Sequence, residues 1–442
     1  MNRKTTMALG IFFSIMQCET LPAQPKISTL DECLKIALDK NFSLQIVKNE
    51  NEIAKNNYTK ANAGLLPSVD ATAGYAGGLN NSASENFSGE KNSTDLRLDN
   101  AASAAINANW DIFSGFKAQS KYVQLKELKE IGDLNTKLKI ESLIADIASE
   151  YYQLILHEKH KNNLLSTLLI SGELLRIAYA NDELGSGSKL EFLQARVDFN
   201  SDSSNLVRQK QQILTTKIRL KTLMGEVDNL DIDADTLIRL LPELKYEALL
   251  EQTVNENTQL LIAAKMIDVS EQEIKIMRAN TLPYLKLNSG YHLNYNHYSA
   301  GATKNSYNTG LDYGITLGFN IFDGGNRRRE IKNAELKRRN SELARDEARL
   351  DAEARFKEIY SSYINNLSLI LVENQNLKTA MQNFEIAMER YRLGELAGID
   401  MRKAQSSLLD AEKRLLDVEY NAKIDEISLM MLSGNITEYL QN

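Results

Sequence analysis

Two cysteines, five prolines and one tryptophan in 442 residues leave the chain few staples and few breaks. If residues 1–23 are removed as a leader, only Cys33 remains, and an exported chain can then hold no internal disulfide. So few prolines suit long helices. No apolar run of membrane-helix length follows the N-terminus, and a quarter of the residues are charged. A basic excess is missing too: 52 Lys and Arg stand against 59 Asp and Glu, a net charge of −7. Nucleic acid is therefore not the expected partner, since phosphate binding needs a basic surface. Signs of chemistry are equally sparse. No Gly-x-Ser-x-Gly occurs. His157 and His160 flank Glu158-Lys159 without making His-Glu-x-x-His, and Gly185-Ser186-Gly187-Ser188 follows no strand pattern. No catalytic, metal or cofactor site is expected, and an enzyme is the weakest class.

What is present begins with a leader. Arg3 and Lys4 precede an apolar run from Met7 to Met16, then small and polar residues to Ala23. Residues 1–23 read as a secretory signal cleaved after Ala23. Cys18 is the alternative, as a lipidation site, although Gln17 stands where a small residue belongs.

Four stretches alternate with period two. Leu285, Leu287, Tyr291, Leu293 and Tyr295 share one parity, against Lys286, Asn288, Gly290, His292 and Asn294. Tyr313, Ile315, Leu317, Phe319 and Ile321 repeat the pattern, as do Val69 to Tyr75 and Ala104 to Ile112. The expected strands are about 66–76, 104–113, 284–295 and 311–322. Tilted strands of roughly 9–11 residues cross a bilayer. One greasy face and one small, polar face fit a barrel wall between lipid and water. The segments 77–103 and 297–309 read as exposed loops.

The chain is one unit written twice. Leu66, Pro67, Gly74 and Tyr75 recur as Leu282, Pro283, Gly290 and Tyr291, 216 residues on (283 against 67). Phe113, Gly115, Leu184, Gly185 and Gly225 recur as Phe322, Gly324, Leu393, Gly394 and Gly434, 209 residues on (322 against 113). The units are 24–229 and 245–442, joined by a linker at 230–244 expected to wrap the outside midway along. Pro67 and Pro283 are expected to stop the preceding helices, because a residue before proline turns extended. Long helical hairpins should then fill 115–225 and 324–434, each opening with a helix of about 100 Å (115–181 and 324–391). Phe356, Tyr360, Tyr363, Leu367, Ile370, Asn374, Leu377, Met381, Phe384, Met388 and Tyr391 step by heptads with one polar member, which predicts a left-handed coiled coil. Glu158, Lys161, Asp202 and Gln209 interrupt the first copy and suggest wetter pairing or another register. The fold class is mainly α with a transmembrane β part. Four strands leave two open edges, which hydrocarbon does not tolerate, so several copies must close the sheet. Three copies, twelve strands, is the smallest number leaving a wet lumen.

These residues resemble the TolC-like outer-membrane efflux proteins. The carriers are the duplication, Leu65-Leu66-Pro67 and Thr281-Leu282-Pro283 before strands, Trp110 to Gly115 and Asn320 to Gly325 after them, and Leu-Gly at both far turns. The resemblance implies a homotrimer with a 12-stranded barrel in outer-membrane lipid and a 12-helix tunnel across the periplasm. It also implies a periplasmic adaptor and an inner-membrane pump or ABC exporter as partners. Function would be that of a passive exit duct for efflux or type I secretion. The rival is a periplasmic coiled-coil adaptor or scaffold without a pore, which leaves the strands unexplained. By the resemblance, Asp400 matches an acidic aperture position, with Lys403 where some members carry a second acid. Tyr391 and Glu191 match a phenol–carboxylate latch. Leu396 replaces an assisting arginine, for which Arg392 is the substitute. Leu184, Gly185, Leu393 and Gly394 match the tip where adaptors dock. The bland readings stay beside these: Asp400 and Glu191 as solvated first-turn acids, Tyr391 as packing, the glycines as helix ends. Pro67, Pro283, Gly115 and Gly324 mark the helix–strand junctions.

Overall fold

The computed structural model describes residues 26–27, 29–226, 231–234, 237–241, 244–301 and 303–439, so the expected leader and Cys18 lie outside the described residues. In chain order the elements are β1 (Lys26–Ile27), α1 (Leu30–Lys40), α2 (Phe42–Asn57), β2 (Ser68–Glu85), β3 (Lys91–Ser114), α3 (Lys117–Glu183), α4 (Lys189–Leu223) and β4 (Asp231–Ile232). They continue as α5 (Tyr246–Glu256), α6 (Thr258–Ala279), β5 (Tyr284–Tyr298), β6 (Asn305–Gly318), α7 (Asn326–Arg392), α8 (Gly398–Leu432) and α9 (Ile436–Tyr439).

Helices α3 and α7 have 67 residues each, and α4 and α8 have 35 each. Their lengths are about 100 Å and about 50 Å. Each long helix begins two residues after the expected start, because Gly115 and Phe116 (φ 64° and 67°), like Gly324 and Gly325 (φ 72° and 84°), turn the chain through left-handed backbone first. A side chain at position 115 has no room: a Cβ there would lie 2.4 Å from the Ala279 carbonyl oxygen.

The sheet runs β2-β3-β5-β6, all antiparallel. Its cross-strand rows separate by chemistry. Ala71, Ile106, Tyr291 and Leu311 form one row, and Asp70, Asn107, Gly290 and Asp312 form the next. Neighbouring rows face opposite sides. The apolar side is uncovered, with Val69, Tyr75, Ile106, Tyr313, Ile315 and Leu317 all exposed.

Three sequence expectations are corrected here. Segments 77–103 and 297–309 are mostly not loops. β2 and β3 stay paired to Glu85 and Lys91, and β5 and β6 to His297 and Asn305, because polar side chains do not stop a backbone ladder. At the other end β6 stops at Gly318 rather than 322. Gly318 pairs with Tyr284, and the residue before Tyr284 is Pro283, which has no N–H to continue the ladder. Pro67 does not end a helix: α2 stops at Asn57, and residues 58–67 form turns held by Ala63 N to Thr59 O (3.1 Å) and Leu65 N to Lys60 O (2.9 Å). Both prolines do immediately precede strands.

The main apolar core sits around the middle of the long helices. Leu143, Ile147 and Leu154 of α3, Phe356 and Tyr363 of α7 and Ile427 of α8 meet Cys33 and Ala37 of α1 and Leu249 of α5. The described part of the linker lies against the middle of α7, where the Tyr360 hydroxyl donates to Leu244 O (2.8 Å). It also touches α8, where Leu241 N donates to Glu426 (2.9 Å) and Lys423 to Arg239 O (2.8 Å).

Candidate functional site at the helix tips

Both hairpins turn in the same way. Gly185 (φ 70°) closes α3 with Ser186 N bonded to Asn181 O (3.0 Å), and Gly394 (φ 77°) closes α7 with Glu395 N bonded to Arg390 O (2.9 Å). This is the left-handed helix stop that glycine favours. Ser188 opens α4 by accepting from Glu191 N (3.2 Å). Beside these turns Leu184 and Leu393 are 82% and 66% exposed, and Leu190 and Ile399 are uncovered as well. The far end of each hairpin thus presents apolar side chains on a rigid turn.

The expected gate residues divide into two groups. Asp400 in the first turn of α8, Lys403 one turn on, and Arg392 at the end of α7 are all exposed. The charge of Arg392 reaches Glu173 of α3, whose carboxyl is held below the ordinary range mainly by its hydrogen bonds to Arg176. Tyr391 is buried among Leu174, Ala387, Met401 and Ala404. Burial, and secondarily the charge of Glu191, pushes its phenol up. Tyr391 and Glu191 line one cleft of about 590 Å³, but among the described residues they share no hydrogen bond. The apolar cluster holds the Tyr391 ring, while a Glu191 carboxylate oxygen lies against Gly398, 2.7 Å from where a Cβ would be.

The bonded tie is elsewhere. Arg402 of α8 donates to both oxygens of Asp202 of α4, from Nη1 at 2.6 Å and Nη2 at 2.8 Å. The Ser171 hydroxyl of α3 also donates to Asp202. Gln405 Nε2 donates to Ser171 Oγ (3.0 Å) and Thr167 O (3.1 Å). Asp202 is 1% exposed, and Ser171 and Gln405 are each 2% exposed. A bidentate guanidinium–carboxylate pair of this kind is among the stronger polar contacts. It joins the first hairpin to the second. Burial tends to remove the Arg402 charge, but the Asp202 hydrogen bonds outweigh it and raise the guanidinium further.

The expectation of wetter pairing in the first copy is corrected for Asp202 and Gln209. Asp202 is buried in this network, and Gln209 is buried with its amide donating to His157 O (2.8 Å). Glu158 and Lys161 pair with each other. Asp202 and Gln209 thus bond across helices, whereas Glu158 and Lys161 pair within α3 and stay partly exposed. Only the pairing of a carboxylate with an arginine 200 positions away could have signalled the tie. Neither residue belongs to a local motif.

At the opposite end the polar face of the sheet forms a hollow of about 850 Å³ lined by Asp70, Asn107, Asn109, Asn288, His292 and Asp312. His292 lies 2.9 Å from Asp312. In the helices His160 Nε2 is 3.2 Å from Asp417. Among the described residues no cluster of His, Cys, Asp and Glu could hold a metal ion, and no helix is long and apolar enough to cross a membrane.

A family model described as outer membrane efflux protein matches residues 33–226 and 249–435. Outer membrane protein TolC of Vibrio cholerae serotype O1 is 22% identical over 433 residues, covering 95% of this chain and 93% of its own. The proteases secretion protein PrtF of Dickeya chrysanthemi is 20% identical over 420 residues, covering 91% and 87%. The crystal structure of the Campylobacter jejuni CmeC outer membrane channel superposes with a TM-score of 0.74 at 18% identity, covering 93% of this chain and 88% of that one.

Proposed function

The chain belongs to the outer membrane efflux protein family, as an exit channel of the outer membrane, and from that premise we propose that three copies assemble into one passive duct. The observation that carries this is the four-stranded sheet with separated faces and, among the described residues, with β2 and β6 each paired on one side only. In hydrocarbon each unpaired backbone group costs several kcal/mol, so the edges must meet those of other copies. Twelve strands enclose water on the small, polar face. The α3–α4 and α7–α8 hairpins continue that cylinder through the periplasm. The duct carries out no chemistry.

Its periplasmic end is the gate. Three copies of Asp400 ring the aperture and, held close, favour cations, with Lys403 reducing the ring's charge. Tyr391 and Glu191 pack the cleft behind it, and Arg392 adds positive charge at its edge. Arg402 and Asp202 hold the two hairpins of each chain together. The apolar turns at Leu184, Gly185, Leu393 and Gly394 receive a periplasmic adaptor, which links the duct to an inner-membrane pump or ABC exporter. Cargo is chosen by that pump.

Purified protein in planar bilayers tests the reading. It should run as a heat-modifiable trimer and conduct ions, and Asp400→Asn should lower its cation preference. A protein that forms no trimer and no conductance would remove the duct. Unchanged reversal potentials in Asp400→Asn would remove the aperture ring alone.

A further inference from the structure

The cleft between the hairpin tips has a volume of about 590 Å³, within the roughly 300–1,000 Å³ usual for small-ligand pockets. Leu174, Leu190 and Ile399 give it apolar walls, and Tyr391 lines it from the end of α7. Its charges do not balance. The guanidinium of Arg402 is committed to Asp202 through two short bonds. Asp198 meets Arg402 Nε only at 3.9 Å and accepts from Gln194 at 3.1 Å. Glu191 is half-buried, with a carboxylate oxygen beside Gly398, and among the described residues that carboxylate has neither an ion-pair nor a hydrogen-bond partner. Two carboxylates on one apolar cleft, one of them without a counter-charge, attract a cation that fits there.

We propose that this cleft is a binding site for small amphipathic cations: a protonated amine between Glu191 and Asp198, with an aromatic or alkyl body against Leu174, Leu190 and Ile399. The tyrosine ring adds attraction for the ammonium if the amine lies over its face. Anions are repelled by the two carboxylates. The ligand touches α4 on one side and α7 and α8 on the other, so it clamps the hairpins together as the Arg402–Asp202 tie does. Reduced conductance on binding rests on the gate reading above. The binding itself does not, and the two fail separately.

Isothermal titration of the purified trimer with 4-phenylbutylamine hydrochloride near pH 7 tests the site, with 4-phenylbutan-1-ol as the neutral control. Expected are saturable binding of the amine, binding of the alcohol weaker by about two- to five-fold, and a similar loss in Glu191→Gln, as for one part-exposed charge pair. Ala195→Trp fills the cleft and should abolish binding. Where that bulky change disturbs assembly, the equal-sized Glu191→Gln and Asp198→Asn carry the test. Equal affinity for amine and alcohol, binding unchanged in Glu191→Gln and Asp198→Asn, or no saturable amine binding up to about 10 mM would each overturn the proposal. A trimer that binds the amine as described but conducts identically with and without it retains the site and loses its link to the gate.

Discussion

Replacing Arg402 by methionine removes the guanidinium that answers Asp202 and keeps most of the side-chain volume. Asp202 would then be a carboxylate with 1% exposure whose remaining partner is the Ser171 hydroxyl. Breaking a buried pair by removing one member costs about 3–5 kcal/mol. The Arg402 side chain is one-quarter exposed, so solvent already screens part of the pair and about 2–3 kcal/mol is the better figure. At about 1.4 kcal/mol per decade, the balance between joined and separated hairpins should move by roughly 30- to 150-fold per chain. Two measurements read this. Arg402→Met should melt lower than the unmodified protein, and its conductance in planar bilayers should rise as the tips part more often. The double replacement Asp202→Leu with Arg402→Met removes the orphaned charge and should recover most of the lost melting temperature, a coupling that separates the pair from its members. If Arg402→Met melts and conducts like the unmodified protein, the tie does not hold the tips and the reasoning fails.

Periodicity exposed the architecture because it is local. Alternation over ten residues is enough to mark a strand, and heptads over nine turns are enough to mark α7. The repeat then placed both hairpins, and Gly185 and Gly394 gave their turns, since few other residues reach φ near +70° at that point. Strand length was harder to see. Past Tyr75 the alternation lapses into Asn, Ser and Gly, and only the facing strand decides whether the ladder continues. The hairpin tip was legible in outline, with Tyr391 and Glu191 on one cleft and Asp400 exposed in the first turn of α8. The bonds within it were not. Asp202 and Arg402 lie 200 positions apart, and either alone looks like a surface charge on a helix. A buried ion pair is a property of two elements packed together. A period along one element does not report it.

Further outcomes can be checked independently. Gly115→Ala places a Cβ 2.4 Å from Ala279 O at φ 64°, whereas Gly185→Ala at φ 70° meets nothing within 4 Å. The first should therefore cost well over the ~1 kcal/mol of left-handed strain that the second carries, seen as a much lower yield of folded trimer for Gly115→Ala. Tyr291→Arg puts a charge on the apolar row of the sheet and should destabilise the barrel by about 2–4 kcal/mol, while Asn288→Arg on the polar face should cost little; equal effects in urea unfolding would reverse the assigned faces. The last concerns pH. Glu412 of α8 is half-buried, and burial pushes its carboxyl above the ordinary 4.5, with His160 pulling weakly the other way. Above pH 4.5 the unfolded chain has released this proton while the folded chain still holds it. Stability therefore falls as pH rises from 4.5 through the raised value, and then levels. Glu412→Gln, which cannot ionise, escapes that loss. It should melt higher than the unmodified protein at pH 7, and the gain should vanish near pH 4, where both side chains are neutral. A gain that persists unchanged at pH 4 would mean the glutamine acts through packing and not through charge.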